Sequence, residues 1–122
     1  VHGDGSQTRT FCYITDAITG FLKVLLRGKP GHAYNIGNNN TEISMKDLAA
    51  LFTSLEDSGA TYELIPYPEH YPAGEPQRRC PDISKAKRDL DFMPQVFLEE
   101  GLKRFMEWCK GDPQYTNGNP SV

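Results

Sequence analysis

Apolar and polar positions alternate between two periods along the chain, and the switches between them mark its elements. "TRTFCYI", aromatic and β-branched after a turn-forming "GDG", predicts a strand from Thr8 to Ile14. Ile18, Phe21, Leu22 and Leu25 then recur at helical spacing, with Asp16 as a candidate cap, Arg27 in the last turn and Gly28 as a left-handed stop. "HAYNIG" reads as a second short strand closing at Gly37. The next helix carries the best start signal: Ser44 with Asp47 resembles a capping box, and Ile43 with Leu48 a hydrophobic staple. Its core-facing positions are Met45, Leu48, Phe52 and Leu55.

"TYELIPY" predicts a third strand, after which prolines at 66, 68, 72, 76 and 81 predict a stiff, irregular loop over 68–81. Asp82 can cap a helix that runs to Leu90. A last helix runs from Leu98 to Lys110 with Leu98, Leu102, Phe105 and Cys109 on one face, stopped by Gly111 and Pro113. The pattern predicts an α/β fold: a small mixed sheet of short strands with about four helices. Three strands are few for an independent fold, so the pattern suggests part of a larger unit. Residues 111–122 read as a flexible tail after an ordered 1–110.

Composition narrows the function classes. At 122 residues and 38% apolar content, one modest core is the limit. A net charge of -3, with the bases scattered among acids, argues against a nucleic-acid surface. Neither a signal peptide nor a membrane span is read in the sequence, which begins without Met, and Cys12, Cys80 and Cys109 form neither a CxxC nor an even set. A soluble, reducing, cytoplasmic setting and an N-terminal truncation are the expectations. "GDGSQT" lacks the third glycine and the following helix of a dinucleotide-binding turn. His2, His32 and His70 fall in or beside loops with no metal spacing, and Glu99 and Glu100 suit a first helical turn. No catalytic or metal-ligating set emerges. What remains is a group of anion-capable side chains: Arg9 at the first strand, Asn35 in "AYNIG", and Arg78 and Arg79 in the proline-pinned loop. Guanidinium groups match phosphate oxygens in a bidentate way, and prolines lower the ordering cost of the loop that presents them.

"GDGSQTRTFCYITDAITGFL", "AYNIGNNNTEISMKDLA" and "EPQRRCPDISKAKRDLDFMPQVFLEEGLKRFMEW" together resemble the C-terminal, substrate-binding part of the extended short-chain dehydrogenases/reductases that act on nucleotide-diphosphate sugars. The blocks stand in the family's order from Gly3 to about Lys110. Members include UDP-glucuronate decarboxylases, dTDP-glucose 4,6-dehydratases and UDP-sugar 4-epimerases, which use a tightly held NAD to oxidise the sugar transiently at C4. The resemblance implies a UDP- or dTDP-linked sugar as partner, with the nucleotide or its phosphates contacted by Arg9, Asn35 and Arg79, and Arg78 as the second choice in its pair. It also implies that NAD binds in an N-terminal Rossmann part, with its Tyr-x-x-x-Lys, that this chain does not contain. Turnover by this chain alone is therefore not expected, and millimolar nucleotide affinity is the most one lobe should give.

Two departures from the family pattern stand out. "YPAGE" takes the place of an R-P-G-D motif, which leans toward the decarboxylase-like branch, and Phe97 replaces the usual Ser or Thr cap before "LEEG". A full-length homodimer is implied, whereas this chain should be monomeric or pair non-natively through a raw surface around Tyr13, Tyr67 and Tyr71. The alternative is a natural short protein that binds a nucleotide sugar or a partner without chemistry.

Overall fold

A computed structural model describes residues 1–55, 59–70 and 76–112. The elements follow in the order β1 (Thr8–Thr10), α1 (Ile14–Arg27), β2 (Glu42–Ser44), α2 (Met45–Leu55), β3 (Arg78–Arg79), α3 (Ser84–Leu90) and α4 (Leu98–Gly111). The sheet has the order β2-β1-β3. β1 pairs antiparallel with β2 (Arg9 opposite Ile43) and parallel with β3 (Thr8 opposite Arg78, Arg9 opposite Arg79). Four helices on a small mixed sheet is the predicted class; the strands themselves lie largely elsewhere.

β1 stops at Thr10 because Ile14 already opens α1, where the Ala17 amide donates to the Tyr13 carbonyl at 3.1 Å. The expected strand at His32–Gly37 does not form. Side-chain bonds with α3 and the turn before it hold that segment: Lys85 Nζ of α3 donates to the Ala33 carbonyl (2.8 Å), and the segment's own Asn35 Nδ2 donates to the Asp82 carbonyl (3.1 Å). "TYELIPY" contributes a single bridge, Ile65 with His2. Pro66 and Pro68 lack the amides that a longer ladder would need. The loop expected over 68–81 contains β3, while residues 71–75 of that stretch, "YPAGE" among them, lie outside the described residues.

Two of the expected start signals make local side-chain bonds, at Ser44 for α2 and at Asp82 in the turn before α3. Ser44 Oγ accepts from the Asp47 amide (3.0 Å) and donates to its carboxylate (2.7 Å), and Asp82 accepts from the Ser84 amide (2.9 Å). Phe97 stands at the N-cap of α4 with no side-chain cap bond. Gly28, by contrast, ends α1 in extended and not left-handed backbone (φ -63°).

Asp16 is not a cap. It is buried in the first turn of α1, where its Oδ2 accepts from the amides of Gln95 and Val96, both at 2.9 Å. One turn on, Gly20 lets α1 approach the core closely: a Cβ there would lie 2.4 Å from Ile36 Cγ2 and 2.9 Å from Phe92 Cε2. The core itself comprises Ile83, Ala86 and Leu90 of α3 with Phe92, backed by Val24, Tyr34 and Ile36. Asp16, Gly20 and Val24 therefore form the inward side of α1. The apolar stripe at helical spacing faces out: Ile18, Phe21, Leu22 and Leu25 are 49–78% exposed. Phe52 and Phe105 are exposed as well, and Met106 is the buried residue of α4. Tyr13 is half-buried under the Arg104 guanidinium, Tyr67 is exposed against His2, and Tyr71 lies outside the described residues; among the described residues α1 also presents exposed apolar side chains.

Candidate functional site

The sheet register decides how the candidate arginines stand. Cross-strand partners share a face, so Arg9 and Arg79 emerge together on one face of the sheet, and Thr8, Arg78 and Glu42 on the other. Arg9 is half-buried, with Nη1 donating to its neighbour's carbonyl at Thr8 (2.8 Å). Arg79 is exposed. Arg9 and Arg79 thus bring two guanidinium groups to one register on adjacent strands, and guanidinium groups match the oxygens of an anion in charge and in hydrogen-bond geometry.

Arg78 is used differently. Its Nε and Nη2 grip the Glu42 carboxylate in bidentate fashion at 2.7–3.0 Å, and Thr8 Oγ1 donates to the same carboxylate at 2.5 Å. The Arg78 hydrogen bond, followed by that from Thr8, holds the Glu42 carboxyl below its ordinary range. Asn35 donates its amide to the Asp82 carbonyl in the turn that starts α3, and the residues after it, Ile36 to Asn38, line the same groove as Arg78 and Arg79.

Two open grooves flank the arginines. One, of about 440 Å³, has Arg9, Gln7, Phe11 and Met45 in its walls, closed by His2 stacked on Tyr67 at 5.8 Å. Gln7 is buried and donates to the Tyr67 hydroxyl (3.0 Å). The other, of about 520 Å³, has Arg78, Arg79, Thr10, Cys12, Cys80 and Asn38 in its walls. A third hollow, of about 340 Å³ between Phe11–Ile14 and the start of α4, is apolar and offers an anion nothing. Burial, and then the nearby Asp16 carboxylate, push the Cys12 thiol up, which disfavours its thiolate.

Sequence reasoning missed Glu42, Gln7 and His2 as parts of this region. Only Gln7, the first residue of the "Q-T-R" triplet, carried a local signal. Among the described residues no group of three or more His, Cys, Asp or Glu could hold a metal ion, and no helix is long and apolar enough to cross a membrane.

The glycine turn does not fit a dinucleotide. Gly3 and Gly5 both have positive φ (69° and 70°), but the space a Cβ would take is filled by the chain's own Tyr67 and Lys46, at 2.5 and 2.9 Å. The turn leads into a strand and not a helix N-terminus.

Known proteins resemble this chain over most of its length. The family model described as GDP-mannose 4,6 dehydratase matches residues 1–105. UDP-glucuronic acid decarboxylase 1 of Arabidopsis thaliana is 39% identical over 106 residues, covering 87% of this chain and 23% of the relative. dTDP-D-glucose 4,6-dehydratase of Bos taurus is 38% identical over 114 residues, covering 90% and 31%. Among solved structures, UDP-glucuronic acid 4-epimerase from Bacillus cereus, in complex with UDP-glucuronic acid and NAD, superposes with a TM-score of 0.76 at 33% identity, covering 91% of this chain and 34% of that one. dTDP-glucose 4,6-dehydratase from Streptomyces venezuelae, with NAD bound, gives 0.80 at 26% identity, covering 93% and 34%. The chain thus spans about a quarter to a third of the length of these relatives. With residues 1–105 matched and the fold shared, the chain belongs to the GDP-mannose 4,6-dehydratase family of the extended short-chain dehydrogenases/reductases.

Proposed function

We propose that this chain is the substrate-binding lobe of an NAD-dependent enzyme acting on a nucleotide-diphosphate sugar, and that Arg9 and Arg79 hold the diphosphate. The observation that carries this reading is their pairing at one register on adjacent strands. A diphosphate linking nucleoside to sugar carries about two negative charges, and two guanidinium groups on one face match it in charge and in hydrogen-bond geometry. Asn35 acts through the fold, fastening the start of α3, and Arg78 acts through its ion pair. NAD, which accompanies UDP-glucuronic acid in the Bacillus cereus structure, binds outside these residues in this reading, and the general base lies there too. The lobe's own contribution is to bind and orient. The missing R-P-G-D motif favours a decarboxylase-like substrate such as UDP-glucuronate.

The test is a titration of the isotopically labelled chain with UDP and dTDP, followed by nuclear magnetic resonance. Dissociation constants in the millimolar range, near 4 kcal/mol, are expected, because one lobe supplies only part of the contacts. Arg9→Ala and Arg79→Ala should each weaken binding about tenfold, the loss of a charge-assisted hydrogen bond. Absence of shifts at β1 and β3, or affinities indifferent to both substitutions, would remove the reading. Turnover of UDP-glucuronate by this chain alone would show that the chemistry is not divided as proposed.

A further inference from the structure

We infer that Glu42 is a positioning residue for the anion site, acting through Arg78 to hold Arg79 at the register of Arg9. The inference rests on the reading that Arg9 and Arg79 receive a diphosphate. Its basis is a clasp that crosses the whole sheet. Glu42 lies on β2, one edge, and Arg78 on β3, the other edge. Because Thr10 faces Glu42 and Thr8 faces both Ser44 and Arg78, the Glu42 and Arg78 side chains share the face opposite the arginine pair. Glu42 reaches over the central strand to accept from Arg78 Nε (2.9 and 3.0 Å), Arg78 Nη2 (2.7 Å) and Thr8 Oγ1 (2.5 Å). One carboxylate thereby ties β2, β1 and β3 together.

β3 needs that tie. It has two residues, with Pro76 and Pro81 nearby, and a strand so short has few ladder bonds of its own; the Thr8 amide bond to the Gln77 carbonyl (2.8 Å) extends its pairing to β1. Consecutive strand residues project to opposite faces. Anchoring Arg78 on one face therefore sets the twist of β3 and with it the direction in which Arg79 leaves the other. Arg78 is 65% exposed and Glu42 29%, a setting in which an ordinary ion pair contributes little, but the bidentate geometry and the third donor put this one among the exceptions.

The sign of the effect separates positioning from simple electrostatics. Glu42 is a negative charge near an anion site. Removing it should tighten diphosphate binding on Coulombic grounds and loosen it if the carboxylate positions Arg79. The experiment is the same UDP titration on Glu42→Gln, Arg79→Ala and the double variant, with amide hydrogen exchange at Thr8 measured without ligand. Expected are about fivefold weaker UDP binding by Glu42→Gln, no further weakening when Arg79 is already Ala, and faster exchange at Thr8. Arg78→Lys, which keeps the charge but not the fork, should reproduce a smaller loss and serves if Glu42→Gln does not fold. Unchanged or tighter binding, a loss that persists undiminished in the Arg79→Ala background, or unchanged exchange at Thr8 would each overturn the inference. A wild-type chain that shows no response to UDP would overturn the diphosphate reading itself, and the exchange rate at Thr8 would still decide whether the clasp holds β3.

Discussion

Replacing Asp16 with Ala should be among the most damaging single changes in this chain. Its buried Oδ2 accepts two backbone amides, those of Gln95 and Val96, both at 2.9 Å, and so fastens the segment between α3 and α4 to the first turn of α1. A hydrogen bond to a charged acceptor contributes about 1.5–3 kcal/mol, and an amide left buried without a partner costs a comparable amount. Two such bonds to one oxygen are not additive, and desolvation of the carboxylate is recovered in the variant. Alanine also regains about 0.5 kcal/mol of helix propensity, roughly cancelling the lost interaction of the acid with the helix dipole. The net expectation is a loss of about 3 kcal/mol, with Asp16→Asn, which keeps an acceptor but not its charge, losing about half. With a urea m-value of about 1.5 kcal/mol per molar, the midpoint should fall by about 2 M for Asp16→Ala. A second readout is the Cys12 thiol, raised first by burial and then by Asp16. Both variants should bring it down and speed its reaction with a thiol reagent at pH 8. A midpoint change worth less than about 1 kcal/mol in Asp16→Ala would refute the account of how the 95–96 segment is held.

Gly20→Ala sets helix propensity, a gain of about 1 kcal/mol, against a methyl group 2.4 Å from Ile36 Cγ2; overpacking of about 1–3 kcal/mol should win, and a more stable variant in thermal unfolding would contradict the close packing. Phe21→Lys with Leu25→Lys changes side chains that are 61% and 78% exposed, so the fold should survive within about 1 kcal/mol while binding of a hydrophobic dye drops; unfolding of the variant would mean that this face is core. The pH dependence follows from carboxyls held below their ordinary values of 3.8 for Asp82, chiefly by the Ser84 hydroxyl, and 4.5 for Glu42, chiefly by Arg78. The unfolded chain takes up these protons first, so stability should be level above about pH 5 and decline as pH falls through 4.5 and below; urea midpoints that rise on acidification would reverse the sign.

Local signals in the sequence were enough for the start of α2 and for the turn before α3. Ser44 and Asp82 carry short side-chain oxygens that reach amides two or three residues on, and such bonds depend on nothing distant. The family blocks were legible because each is a run of contiguous residues. Strand pairing was not, because a strand is defined by partners far along the chain: Glu42 and Arg78 meet across 36 residues, and β3 exists through Thr8 and Arg9. Nor could periodicity say which side of α1 is inside. The spacing of Ile18, Phe21, Leu22 and Leu25 specifies a face, but the close approach at Gly20 and the two amides aimed at Asp16 turn that face outward. A helix seats the side that its neighbours can bond and approach, and those neighbours, Ile36, Phe92, Gln95 and Val96, are assembled only by the tertiary structure.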